Sequence, residues 1–190
     1  MAGVEGAPEF LAGLPDAVDR AGVAGTVRRE LDAGRTGNAF VAAMVWGHGV
    51  SGYGAYRTAV VLSGHKQPLG IPADGEVVGR LAKAAALAAG ADRVEAFRFL
   101  ANEGRVPGLG PAFYTKWLYF SSATEGHHAA SALPILDAVV QTFLWSDAGV
   151  KLRTGRTVDY AAYVDLLTCW GNDSGRTAVQ VEEAIFRIAR

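Results

Sequence analysis

Apolar residues recur at three- and four-residue spacing along most of the chain, the period of helices that bury one face. No stretch alternates strictly as a half-buried strand does, and no internal repeat is present. Residues 1–8 read as a flexible N-terminus and residues 8–14 as the start of ordered structure. Residues 23–34 read as a short helix ended by Gly34, and residues 38–46 as an apolar helix capped by Asn38. Residues 52–64 form a third, stopped by Gly64; Asp74 caps an alanine-rich fourth that ends at Gly90. Val94, Phe97, Leu100 and Ala101 fall at helical spacing before Gly104, and Pro111 opens the next helix. Residues 134–145, 158–170 and 177–189 complete the pattern. The fold class is all-α, with residues 9–190 forming one compact helical domain or two small lobes sharing an interface.

Composition narrows the function classes. With 50% hydrophobic and 19% charged residues, a net charge of −1 and 190 residues, the chain belongs with soluble globular proteins. It carries no apolar run long enough to span a membrane and no leader-like N-terminus, so a cytoplasmic monomer is expected. The single Cys169 excludes an internal disulfide, and the four histidines lack zinc-site spacing, so no metal site is expected. A pI near 6.4 argues against a protein that coats polyanions, though not against a local basic face.

The segment Gly47-His48-Gly49-Val50-Ser51-Gly52 fits G-x-G-x-x-G. That fingerprint binds pyrophosphate only inside a parallel βαβ unit, which this helical pattern does not supply. A glycine loop between packed helices is one reading. A functional loop is the other: Trp46, His48, Tyr53, Tyr56 and Arg57 combine aromatic rings with a cation, suited to base or phosphate contact.

A second glycine motif is more informative. Val106-Pro107-Gly108-Leu109-Gly110 lies between two helices, where the glycines allow a tight turn and leave backbone amides bare at a helix N-terminus for a phosphate. Leu109 would anchor that hairpin. The next helix carries five aromatic residues between 112 and 121, yet holds Lys116 among them, in a chain where 14 of 18 basic residues are arginine. An amine on such an apolar face either snorkels to water or is desolvated toward the neutral nucleophile of Schiff-base chemistry. Asp137, in Pro134-Ile135-Leu136-Asp137, is placed to cap the following helix and to offer negative charge to a developing cation.

These residues together resemble the helix-hairpin-helix DNA glycosylases, and in particular their 8-oxoguanine glycosylase branch, over roughly residues 92–145. The resemblance implies that Lys116 attacks the sugar C1′, that Asp137 is the assisting acid, and that Gly108, Leu109 and Gly110 hold a DNA phosphate. It implies removal of an oxidised or otherwise modified base from double-stranded DNA, with or without AP-lyase activity, and no cofactor. The alternative from the same residues is a non-catalytic DNA-binding protein with the same hairpin.

Overall fold

The computed structural model describes residues 19–49 and 52–189; the expectations for residues 1–14 and for Val50 and Ser51 lie outside the described residues. Among these there are nine helices and no strand, as an all-α fold requires. In chain order they are α1 (Arg20–Asp32), α2 (Thr36–His48), α3 (Gly54–Ser63), α4 (Gly75–Ala88), α5 (Val94–Ala101), α6 (Pro111–Ser122), α7 (Ala138–Ala148), α8 (Thr157–Ser174) and α9 (Ala178–Ile188). None of them is long and apolar enough to cross a membrane.

Local chemistry sets many of the boundaries. Asp74 accepts from the amides of Glu76 and Val77 to start α4, and Asp137 accepts from Val139 and Val140 to start α7. Thr177 and Gln180 form a reciprocal capping box on α9. Gly64, Gly149 and Gly175 end their helices in the left-handed conformation, which costs glycine least. Asn38 departs from expectation. The helix begins at Thr36, so Asn38 lies within its first turn, buried, and its amide donates to Glu30 Oε2 at 3.2 Å. Glu30 also binds Arg35 at 2.7 Å, so a cross-helix polar cluster replaces the expected cap.

One hydrophobic core draws on all nine helices, and α6 runs through it against α1, α2, α4 and α5. Residues 114–122 of α6 are all buried. Its buried polar side chains need partners inside the protein. Trp117 Nε1 donates to Leu81 O and Ser121 to its own helix, while the Tyr114 hydroxyl has no partner among the described residues. Thr115 and Ser122 bind the segment that precedes α7. Ser122 Oγ accepts from Leu133 N at 2.8 Å, and Thr115 Oγ1 lies 3.3 Å from Leu136 N and 3.4 Å from Leu136 O. From α8, Tyr160 and Tyr163 donate to the carbonyls of Pro134 and Ile135 at 2.8 and 2.6 Å. Residues 132–136 are buried without regular structure, and these bonds replace the water their backbone has lost.

Two glycines make opposite predictions. A Cβ on Gly104 would sit 2.2 Å from the Phe99 ring, whereas one on exposed Gly25, inside α1, would meet nothing within 4 Å. Gly104→Ala should lower unfolding stability by about 1–3 kcal/mol through overpacking. Gly25→Ala should raise it by about 0.5–1 kcal/mol through helix propensity. Chemical denaturation of both variants measures the difference in sign.

Candidate active site

The turn between α5 and α6 is closed by Leu109 N donating to Val106 O at 3.1 Å, with Gly108 at φ +81°. Val106 and Leu109 point into the core, while Pro107, Gly108 and Gly110 are exposed. Gly110 precedes α6 in an extended conformation and no side chain caps the helix; Pro111 occupies its first turn. Phe113 N and Tyr114 N share the Gly110 carbonyl, and the amides of Gly108, Gly110 and Ala112 have no acceptor among the described residues. The positive end of the α6 dipole coincides with these bare donors.

Lys116 lies a turn and a half into α6. Only 8% of the residue is exposed, and its Nζ is 3.3 Å from Asp137 Oδ2, 3.5 Å from the Ala112 carbonyl and 5.3 Å from the centre of the Phe113 ring. Gly47 makes room for the stem: a Cβ there would stand 3.0 Å from Lys116 Cδ. Asp137 divides its oxygens between two tasks. Oδ1 accepts from Val139 N and Val140 N at 3.1 and 3.2 Å, while Oδ2 faces the amine. A helix cap fixed on one oxygen thus aims the other, and Thr115, one residue before the lysine, grips Leu136, one residue before the aspartate.

The glycine loop after α2 meets this site from the other side. The His48 ring lies 4.4 Å from that of Phe113, and the side chain packs on Gly54, where a Cβ would stand 2.6 Å from His48 Cβ and 2.9 Å from the ring's Cγ. His48 and Arg57 line a small cleft with Gly108, Leu109 and Phe113, so the two glycine motifs share one surface. Burial, then the charges of Arg57 and Lys116, lower the His48 pKa and favour a neutral ring. Tyr53 and Tyr56 stand exposed and edge-to-face at 5.4 Å, and Tyr56 donates to the Lys66 carbonyl at 2.6 Å. Trp46 is engaged elsewhere: it packs edge-on against Phe120, with the Arg20 guanidinium 5.1 Å over its ring. Arg20 in turn makes a bidentate pair with the fully buried Glu182, a link across 162 positions that local pattern does not signal. The glycine loop is bordered by α2 and α3, and no strand feeds it, so a dinucleotide-binding βαβ unit is not formed by the described residues.

A cavity of about 300 Å³ between α1, α4 and the far end of α6 touches none of these side chains. The chemistry-bearing groups gather instead at the start of α6, where a buried amine, a carboxylate and bare amides converge. Such a grouping sets donors for an anion beside a paired amine and carboxylate. Residues 2–186 match the model of the family described as "Putative 8-oxoguanine DNA glycosylase OGG-like protein", and the chain belongs to that family. No curated protein and no solved structure matches it.

The His48 environment is open to titration by NMR. Its midpoint should fall below the ordinary value of 6.5, and both Arg57→Gln and Lys116→Gln should move it upward. Because the folded state resists this protonation, stability should be unaffected above pH 6.5. It should decline as pH falls from 6.5 through the folded midpoint. A second test concerns the grip on Leu136. Thr115→Val should cost about 1–3 kcal/mol by stranding a buried amide and carbonyl, while Thr115→Ser should recover most of the loss in chemical denaturation.

Proposed function

We propose that this protein excises an oxidised purine from duplex DNA, with Lys116 as the nucleophile and Asp137 as the assisting carboxylate. The observation that carries the reading is the buried Lys116 Nζ, 3.3 Å from an Asp137 whose other oxygen caps α7, beside a turn with bare amides. In this reading the amides of Gly108 and Gly110, with the turn anchored by Leu109, receive a phosphate beside the lesion. The damaged nucleotide leaves the base stack, as chemistry at C1′ requires. His48, Tyr53, Tyr56 and Arg57 border its path as base or backbone contacts; Trp46, held by Phe120 and Arg20, takes no part in this reading.

The chemistry follows from the pair. Positive charge builds on the sugar as the N-glycosidic bond lengthens, and the Asp137 carboxylate stabilises it. The base departs with the bonding electrons and takes up the proton that the Lys116 ammonium gives up, and the freed amine supplies its electron pair to C1′. Opening of the sugar ring converts the adduct to a protonated imine. That imine acidifies C2′, whose deprotonation expels the 3′ phosphate by β-elimination, and water then hydrolyses the imine to free the lysine. This second half is the AP-lyase activity, and a monofunctional enzyme would omit it.

Borohydride reduces the imine and fixes the protein to DNA, which supplies the test. Wild-type protein incubated with an 8-oxoguanine duplex and borohydride should give a covalent complex. Lys116→Gln should abolish trapping while DNA binding persists. Asp137→Asn retains a capping side chain and should fold with near-normal stability, yet lose at least about tenfold in single-turnover rate with the compensating charge. Base excision without trapping by the wild type, unchanged in Lys116→Gln, would move the attack to a water near Asp137. Binding with neither excision nor trapping on a panel of lesion duplexes would leave the non-catalytic DNA-binding reading.

A further inference from the structure

The geometry points to a second DNA-backbone grip, on the loop between α7 and α8, which carries Lys151 and Arg156; it rests on duplex DNA being the ligand of the site above. Net charge gives no hint of it. The loop is fastened to the site at two points. Gly155, at φ +80°, lies close enough to α6 that a Cβ there would stand 3.6 Å from the ring of Pro111, the residue following the bare-amide turn. Thr154 Oγ1 donates to Gln141 Oε1 at 3.2 Å, and Gln141 N in turn donates to Asp137 O. The tip of the loop therefore sits between the N-terminal ends of α6 and α7, the two ends that hold the turn and the Lys116–Asp137 pair.

Within this loop the cations are used differently. Arg153 is consumed internally: its guanidinium and its backbone amide both bind Asp159, at 2.9 and 2.8 Å, which fixes the loop's shape. Lys151 and Arg156 are exposed and make no ion pair among the described residues. Lys151 Nζ is held 5.4 Å over the ring of exposed Trp145, and Arg156 stands at the start of α8 directly after Gly155. Cations left unpaired beside a rigid staple, on the flank of the site opposite His48 and Arg57, fit a polyphosphate that crosses the site from one flank to the other. Neither is aimed at a base by any contact, so the grip is independent of sequence and of the lesion.

Counterion release makes the proposal measurable. Binding of an undamaged duplex to wild-type protein and to Lys151→Ala/Arg156→Ala is followed as a function of salt. Each lost phosphate contact lowers the slope of log K against log salt by about 0.9, so the double variant should show a slope shallower by about 1.8. Arg176→Ala is the control: it removes an equally unpaired, exposed arginine at the far end of α8, about 27 Å along the helix axis. Its slope should match the wild type. An unchanged slope in a folded double variant overturns the proposal, and so does an equal reduction in Arg176→Ala. The trapping experiment is independent of this result. A protein that neither excises nor traps a lesion but shows the predicted slope change would lose the glycosylase reading and keep the second grip. Wild-type protein that binds no duplex at any salt would overturn both.

Discussion

Everything at the site depends on the enclosure of α6. With residues 114–122 all buried, this helix has no solvent face to which a polar side chain can turn. Long basic side chains on ordinary helices escape burial by snorkelling, but Lys116 has Gly47 and Phe113 alongside and four helices packed around its own. Burying an ammonium unpaired is far more costly than burying a polar group with its partner. The fold meets that demand with one carboxylate at 3.3 Å.

That carboxylate arrives on a segment which α6 itself organises. Thr115 and Ser122 lie on the same helix as the lysine and bind the backbone at Leu136 and Leu133, so residues 133–137 run along α6 as if laid on a template. Tyr160 and Tyr163 clamp the same segment from α8. The separation of amine and acid is consequently a property of the core and not of a surface loop. A buried ion pair of this kind does little for net stability, since desolvation offsets most of its Coulomb gain. In the proposed reaction the same pair, beside a turn with bare amides, would be preorganised for a cationic transition state.

Much of this was legible before folding was considered, and the missing parts have a common cause. Helix ends set by local chemistry, such as Asp74, Gly64 and Asp137, can be read because the cap and its amides lie within three residues. Lys116 stood out because its neighbours are aromatic. Asn38 misled because its partner, Glu30, is on another helix, and a tertiary bond outweighed its capping tendency. Trp46 was read as a surface stacking residue, but Arg20, fixed by Glu182 at the other end of the chain, covers its ring. Thr115 and Ser122 were missed although a signal existed. A helix with aromatic residues on all faces is a helix buried on all faces, so a hydroxyl on it calls for a partner inside the protein, which Thr115 and Ser122 find on the segment before α7.

Charge shows most clearly how local arrangement overrides composition. A net charge of −1 predicts a poor ligand for DNA only if acids and bases are mixed at random over the surface. Here they are sorted. Near the α5–α6 turn, Glu95 and Glu103 share Arg98, which offsets one of their two charges, and Asp159 is paired with Arg153. Arg57, Arg105, Lys151 and Arg156 are exposed and have no carboxylate partner among the described residues. An approaching polyanion meets unpaired cations and bare amides around the turn, while the acids that balance the total are already occupied or lie elsewhere. Binding that relies on such sorting has a short reach, because the Debye length at physiological salt is about 8 Å and the overall charge offers no long-range attraction. A protein of this kind would hold DNA by contact more than by long-range attraction, and contact is what the proposed chemistry at a single C1′ would require.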